Sequence, residues 1–172
     1  MKQAQETSHR APRGTIDIRR ATDVDVPVIL RFIRGLAEYE RLAHECVATE
    51  DALHTTLFGD TPAAHVIIAR RNGVDVGFAL YFFNYSTFLA QPGLYLEDLF
   101  VDPAHRGHGV GRALLSRLAA IAEERRCGRM EWSVLDWNTD AIHFYESLSA
   151  RAMSDWTVYR VTGDALTQLV RS

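Results

Sequence analysis

The stretch YLEDLFVDPAHRGHGVGRALL, residues 95–115, places a glycine-rich loop between an apolar run and a helical pattern. The apolar run at residues 94–101 is typical of a buried strand, and Asp102 and Pro103 close it. From Gly109 onward the apolar residues recur at helical spacing. Glycines let backbone N–H groups come close to a ligand, and a helix N-terminus adds a partial positive charge. The pattern predicts either a pyrophosphate-binding loop or a glycine-rich turn that only begins a helix.

Two common nucleotide-binding motifs are excluded at this loop. The dinucleotide fingerprint GxGxxG would need glycine where Arg112 stands. A P-loop would need Gly-Lys and then Ser or Thr after its second glycine, and the loop lacks that triplet. A phosphate bound here would therefore be held by another kind of loop.

Strand and helix patterns flank the loop in the order β-α-α-β-β-β-α-β-α-β. The predicted strands cover residues 15–20, 65–71, 76–84, 94–101, 129–135 and 156–161. The predicted helices begin near Asp23, Thr49, Gly109 and Ala141, and a helical turn follows at residues 166–170. This order predicts an α/β (α+β) fold, with a mixed sheet flanked by helices, in a single domain over residues 15–172.

The composition is that of an average soluble globular protein. The 172 residues are 47% hydrophobic, 24% charged and 10% aromatic, which excludes a disordered or collagen-like chain. Lys and Arg number 19 against 22 Asp and Glu, so the formal net charge is −3. A nearly neutral chain is a poor candidate for sequence-independent nucleic-acid binding. We therefore expect no nucleic-acid partner, and any role of charge is local.

Cysteines, histidines and the N-terminal residues indicate compartment and metal content. Cys46 and Cys127 are too few and too far apart for a disulfide framework or a zinc site, so we expect no metal. We interpret His105 and His108 as solvated loop side chains. Residues 1–14 are polar and have no apolar signal core, so we expect a disordered segment there. No run approaches the roughly 20 apolar residues of a membrane helix, and we expect a cytoplasmic protein without a membrane partner.

The glycine loop and the strand before it resemble the acetyl-CoA-binding motif of the GNAT superfamily of N-acetyltransferases. Arg106, Gly109 and Gly111 match the family's Arg/Gln-x-x-Gly-x-Gly/Ala core. The chain also resembles the diamine (spermidine/spermine) and thialysine N-acetyltransferase branch, whose blocks it contains in the family's order. These blocks are IRRATDVDVPVILRFIRGLAEYE, VGFALYFFNYSTF, LYLEDLFVDPAHRGHGVG and DWNTDAIHFYESLSA. The resemblance implies a mostly antiparallel sheet, acetyl-CoA as co-substrate and a homodimer.

The resemblance also implies which segments hold the cofactor. Strand backbone at Leu99, Phe100 and Val101 would face the pantetheine arm. Asn138 and Ala141 would contact the cofactor near its thiol. The pyrophosphate loop would consist of Arg106, Gly107, His108, Gly109, Val110, Gly111 and Arg112.

Acetyl transfer from a thioester to an amine needs a proton acceptor and a proton donor. An amine like that of lysine, with a pKa near about 10.4, must lose a proton first, and the leaving thiolate gains from receiving one. The resemblance gives the donor role to Tyr145, and the acceptor role, through water, to Glu97. The residue spacing alone favours an ordinary aromatic at Tyr145, on one helix face with Ile142 and Leu148.

Acidic residues gather where the resemblance places the acceptor. Glu97 and Asp98 stand side by side in an apolar strand, so strand alternation turns at least one carboxylate into apolar surroundings. An ion pair with an arginine is the alternative for Asp98. Tyr39 and Glu40 match the family's Tyr-Glu at the end of the first helix, where carboxylates would favour a cationic amine.

Three other positions bear on the acceptor and the route of transfer. Glu131 and Trp132 fall on a strand that borders the amine pocket in the family, although Trp132 fits a core position equally well. The family usually has glycine where Ser149 stands, which leaves the substrate contacts of the C-terminal loop open. Cys127 suggests an acetyl-cysteine route, but it lies away from the motif, so direct transfer is favoured.

The sequence therefore predicts an acetyl-CoA-dependent N-acetyltransferase that acts on a small cationic amine. One alternative is the same fold acting on another amine, such as an amino acid, an antibiotic or a protein lysine. The other is a non-catalytic acyl-CoA-binding module, which would need only the glycine loop and neither Tyr145 nor Glu97. We interpret the aromatic side chains of residues 81–88 as an exposed run compatible with a dimer interface.

Overall fold

Residues 14–172, which the computed structural model describes, contain a five-stranded sheet. Its strands follow one another in space as they do along the chain: β1 (Ile16–Arg20), β2 (His65–Arg71), β3 (Val74–Ser86), β4 (Gln91–Val101) and β5 (Met130–Trp132). Strands β1 to β4 are antiparallel neighbours, and β5 joins β4 in parallel. The predicted mixed, mostly antiparallel sheet is confirmed.

Five α-helices accompany the sheet, and compactness divides the chain into two units, Met1–Ser133 and Val134–Ser172. The first unit contains α1 (Val26–Tyr39), α2 (Glu50–Phe58) and α3 (Val110–Glu124) together with the whole sheet. The second unit contains α4 (Thr139–Glu146) and α5 (Gly163–Arg171). The prediction of a single domain over residues 15–172 stays a prediction, and the disorder expected at residues 1–14 falls outside the described residues except at Gly14.

Local sequence explains how β2 turns into β3. Asn72 and Gly73 have φ values of +52° and +82°, the left-handed pair that a tight two-residue hairpin turn requires. The turn brings Arg71 opposite Val74 and sets the antiparallel register of the sheet centre. The hairpin predicted from Asn-Gly is therefore confirmed.

The core of the first unit lies on both faces of the sheet. Phe32 of α1 stacks on Phe78 of β3 with ring centroids 5.5 Å apart, and it also packs against Phe100 of β4. Helix α3 packs against β1 to β4 and buries Leu114 and Leu118. Burying each such side chain stabilises the fold by about 1.5–3 kcal/mol.

A partly buried ion pair fixes the entry into α1. Nη1 and Nη2 of Arg19 each lie 2.7 Å from a carboxylate oxygen of Asp25, and the Thr22 N–H donates to the same carboxylate. The Arg19 hydrogen bonds lower the pKa of Asp25 to about 2 in spite of its burial. This stabilisation is present above the ordinary carboxyl pKa, and it is lost as the pH falls toward 2.

The strand predicted over residues 156–161 is wrong. That segment has no regular structure, and Tyr159 is 90% exposed. Apolar alternation favours a strand, but a strand also needs hydrogen-bonding partners on a neighbour, and this segment pairs with no described strand.

The exposed aromatic run predicted over residues 81–88 is only partly correct. Tyr85 and Phe88 are exposed, whereas Tyr81 is 3% exposed and Phe82 and Phe83 are half-buried. The reason is that α1 and α3 both pack against β3 and cover side chains along its middle.

Candidate active site

A β-bulge interrupts β4 at the two adjacent acidic residues. Leu80 of β3 lies opposite Asp98, but the next residue, Tyr81, lies opposite Leu96, so Glu97 has no partner across the ladder. A bulge leaves one residue unpaired and re-aims the side chains around it. Glu97 is exposed here and Asp98 is half-buried.

Three carboxylates come together at the bulge. Burial, together with the negative charges of Glu97 and Glu40, raises the pKa of Asp98 to about 6. Burial also raises the pKa of Glu40, which caps the C-terminal end of α1. Asp98 forms no ion pair within the described part of the chain, so the arginine partner considered for it is not found. The cluster is therefore a site that a cation would stabilise.

The edge of β4 beyond the bulge is open on the side away from β3. Strand β5 pairs with β4 only through Leu94, Tyr95 and Leu96. From Glu97 to Val101, that edge has no strand partner among the described residues. An unpaired strand edge can accept an extended polar ligand, and the contact of Leu99, Phe100 and Val101 with a pantetheine arm stays a prediction. The Phe100 side chain is buried in the hydrophobic core.

The glycine loop ends β4 and begins α3. Gly107 and Gly109 have φ values of +73° and +88°, and a Cβ built on either would meet no atom within 4 Å. Gly109 is the N-cap of α3, and no side chain among the described residues caps the helix there. The first N–H groups of a helix have no partner within it. The open space beside Gly107 and Gly109 leaves room for a phosphate group at this helix end.

Arg106 connects this loop to the end of α1. Its Nε donates to the Val101 carbonyl oxygen over 3.0 Å, and its guanidinium carbon lies 4.5 Å from the centroid of the Tyr39 ring. His108 Nδ1 donates to the Arg106 carbonyl oxygen over 2.7 Å, which fixes the loop backbone. One side chain thus joins predicted cofactor residues to Tyr39, a predicted acceptor residue.

Glu131 of β5 already has partners. Its carboxylate lies 2.8 Å from Arg129 Nε and accepts a hydrogen bond from Asn84 Nδ2 over 3.3 Å. Trp132, next in the strand, is half-buried. Because Arg129 neutralises Glu131, this carboxylate attracts a cationic ligand less strongly than the three at the bulge.

The predicted residues that follow β5 in the chain lie in the second unit. Asn138 caps α4, and its side-chain oxygen accepts the N–H of Ala141 over 3.3 Å. Tyr145 is half-buried on α4, with its ring centroid 5.5 Å from that of Phe144. Ser149 follows the helix with a φ of +66°, a conformation that favours glycine.

A comparison with known families decides what kind of fold this is. Residues 33–149 match the Acetyltransferase (GNAT) family, which is more than half of the chain. The chain belongs to the GNAT family. The expected acetyl-CoA-dependent N-acetyltransferase is confirmed at the level of the family.

Relatives of this GNAT acetyltransferase act on amines according to their names. The chain is 36% identical over 163 residues to the thialysine N-epsilon-acetyltransferase of Bos taurus, covering 88% of this chain and 95% of that protein. It is 35% identical over 206 aligned residues to the L-ornithine N5-acetyltransferase NATA1 of Arabidopsis thaliana, covering 94% and 90%.

Solved structures agree on the fold of the GNAT chain. An integron cassette protein from V. cholerae has a TM-score of 0.77 and 27% identity, covering 91% of this chain and 98% of that one. An aminoglycoside acetyltransferase from a soil metagenome, solved with sisomicin, has a TM-score of 0.72 and 18% identity, covering 86% and 97%. At 18% identity the second likeness concerns the fold alone.

A cavity of the GNAT chain is lined by residues that sequence reasoning missed. It measures about 430 Å³, lies along α1 beside the end of β4, and includes Arg31 and Arg34. Arg31 Nη1 lies 3.1 Å from Asp102 Oδ2, a pair too distant in sequence to be predicted. Among the predicted site residues only Phe100 lines this cavity, so we do not assign the acceptor to it. No described helix combines the length and the apolar character that crossing a membrane requires.

Proposed function

We propose that the chain moves the acetyl group of acetyl-CoA directly to the primary amine of a small cationic acceptor, such as a polyamine, a diamine or thialysine. The observation that carries this proposal is the cluster of Glu40, Glu97 and Asp98, which lacks a cationic partner in the described chain. Relatives named for thialysine and ornithine, both cationic amines, support the same acceptor class.

The cofactor would lie along the open edge of β4 and over the glycine loop. Leu99 and Val101 offer backbone groups to the pantetheine arm, and the N–H groups at the start of α3 hold the pyrophosphate. Arg112, on the exposed side of the first turn of α3, adds a positive charge for the phosphates. When bound, acetyl-CoA supplies the activated acetyl group.

The acceptor amine would enter as a cation and react as a neutral amine. Glu40 and Asp98 hold its positive charge, and Glu97, exposed at the bulge, accepts the proton through a water molecule. The ammonium pKa of about 10.4 makes this deprotonation a requirement at neutral pH. Tyr145 donates a proton to the sulfur as the C–S bond breaks.

Direct transfer fits the environment of the cysteines better than a covalent route. Burial raises the pKa of the Cys127 thiol, which lowers its thiolate fraction at neutral pH. We therefore expect intersecting double-reciprocal lines when both substrates are varied, and parallel lines would exclude direct transfer.

The assembly and the location stay proposals. Tyr85 and Phe88, which are exposed on β3 and just after it, would contribute to a homodimer interface. A cytoplasmic location would suit the two free cysteines, Cys46 and Cys127.

Replacement of Tyr145 tests the proposed chemistry. We expect Tyr145→Phe to lower kcat by about 10²-fold or more, while the dissociation constant of acetyl-CoA stays unchanged. Initial rates of thiol release and calorimetric titration with acetyl-CoA measure the two quantities. Tyr159→Phe is the matched control, because that side chain is almost fully exposed. An unchanged kcat in Tyr145→Phe would remove the proton-donor assignment.

A further inference from the structure

A small basic pocket lies between α3 and the sheet, apart from the candidate active site. It has a volume of about 70 Å³ and lies at the C-terminal half of α3, whereas the glycine loop is at the N-terminal end of that helix. Its walls come from the end of β1, the start of β2, the middle of β3 and one face of α3. None of its residues belongs to the predicted cofactor or acceptor set.

The charge of this pocket is positive. Arg20, Arg117 and Arg125 line it, against a single carboxylate, that of Glu124. Arg117 Nη1 lies 2.9 Å from Glu124 Oε1, so this pair is neutral. Arg20 and Arg125 form no ion pair within the described part of the chain. The C-terminal end of α3 adds roughly half a negative charge, which two unneutralised guanidinium groups outweigh.

The floor of the pocket supplies a buried hydrogen-bond donor. Tyr81 is 3% exposed, and it lines the pocket from β3. Burial raises the pKa of Tyr81, while the charges of Arg20, Arg117 and Arg125 act in the opposite direction. A phenol hydroxyl carries one O–H donor, which can bind a ligand or an ordered water in the pocket.

His65 and Phe83 form the aromatic wall. The His65 ring centroid lies 5.4 Å from that of Tyr81 and 5.9 Å from that of Phe83. Burial, Arg20 and Arg125 lower the pKa of His65, so at neutral pH its ring can donate one N–H without adding charge. The Arg125 guanidinium carbon lies 5.7 Å from the Phe83 centroid, which holds this arginine at the rim.

We propose that this pocket is a second anion site, which binds a single tetrahedral oxyanion of the phosphate type. Arg20 and Arg125 provide the charge, and the Tyr81 hydroxyl provides a directed hydrogen bond from below. The volume suits one such group and is too small for a whole nucleotide. The group can be free phosphate or the phosphate of a monoester whose remainder stays in solvent.

Calorimetric titration of the full chain tests the proposal. Inorganic phosphate and phenyl phosphate are titrated in turn, at constant ionic strength maintained with chloride. We expect Arg20→Gln to weaken phosphate binding about tenfold or more, because a charge-assisted hydrogen bond is lost. Tyr81→Phe, which keeps the ring, is expected to weaken it about three- to tenfold. If inorganic phosphate and phenyl phosphate bind equally well, the site admits a phosphate monoester. If only inorganic phosphate binds, the site admits free phosphate alone. Either result supports the proposal.

Arg112→Gln is the matched control, because it removes a positive charge at the glycine loop and leaves the pocket intact. We expect this variant to retain the Arg20-dependent binding. If Arg112→Gln abolishes phosphate binding while Arg20→Gln leaves it unchanged, the anion binds only at the loop and the proposal is wrong. Absence of phosphate binding to the unmodified chain also overturns it. Arg125→Gln replaces Arg20→Gln if the latter melts at a lower temperature in phosphate-free buffer.

Discussion

At the scale of single residues, the candidate active site is marked by carboxylates that form no ion pair in the described chain. The sequence could predict that Glu97 and Asp98 lie in an apolar strand, but it could not predict the bulge that separates their environments. It also left open an arginine partner for Asp98, because ion pairs between distant segments depend on the tertiary structure. The stacking of Arg106 on Tyr39 could not be predicted for the same reason.

The raised pKa of Asp98 predicts a pH-dependent penalty on stability. The folded chain binds this proton more tightly than the unfolded chain, because the folded pKa is about 6 and the ordinary value is 3.8. Stability from this group is therefore complete below pH 4 and is lost as the pH rises through 6. We expect Asp98→Asn to be more stable than the unmodified chain by about 1–2 kcal/mol at pH 7, and by less at pH 4.

Urea unfolding at the two pH values measures this difference. Asp60→Asn, at an exposed position, is the control and should change stability equally at both. A stability gain from Asp98→Asn that is no larger at pH 7 than at pH 4 would contradict the penalty assigned to the ionised carboxylate.

Ser149 makes a second prediction at the residue scale. A non-glycine residue in the left-handed region costs about 1–2 kcal/mol of stability. Replacement by glycine removes this cost, but part of the gain is offset because glycine has more conformational freedom in the unfolded chain. We therefore expect Ser149→Gly to raise the free energy of unfolding by about 1 kcal/mol. Ser147→Gly is the matched control, because Ser147 has a φ of −64° and should lose stability on the same change. Destabilisation of both variants would show that the Ser149 backbone is not strained.

At the scale of elements, the two strands of the β2–β3 hairpin could be predicted from the sequence. The strand predicted over residues 156–161 was wrong. Asn72 and Gly73 determine a turn locally, so β2 and β3 follow from neighbouring residues. Residues 156–161 alternate as a strand does, yet a strand forms only where another offers its edge. The glycine loop was predictable as an element because strand, turn and helix signals adjoin one another. Its chemistry was supplied by the family resemblance rather than by the spacing.

The glycine loop gives a prediction at this scale. Gly109→Ala should lose about 1–2 kcal/mol of stability through backbone strain. It should also raise the dissociation constant of acetyl-CoA about tenfold or more, because the new Cβ enters the space proposed for phosphate. Gly73→Ala is the control, since Gly73 has a similar φ of +82°, is equally open, and lies in the β2–β3 hairpin. If both variants bind acetyl-CoA with equal affinity, the glycine loop does not contact the cofactor and this prediction is wrong.

At the scale of the whole molecule, a net charge of −3 conceals local fields of opposite sign. Arg106, Arg112 and the start of α3 form a positive region, while Glu40, Glu97 and Asp98 form a negative one. The overall fold class was predictable because apolar periodicity and turn signals extend along most of the chain. The identity of the amine was not, since carboxylates recognise any cation that reaches them.

The most direct test of the account is acetyl transfer to matched amines. Purified chain is incubated with acetyl-CoA and thialysine, ornithine or spermidine, and with a monoamine of similar length as the control. Thiol release gives the rates, and mass spectrometry identifies the acetylated product. We expect at least one of the cationic acceptors to have a kcat/KM about tenfold or more above that of the monoamine, because its second positive charge meets the carboxylate cluster. Equal rates for the monoamine, or acetyl-CoA binding with no thiol release on any amine, would contradict the account.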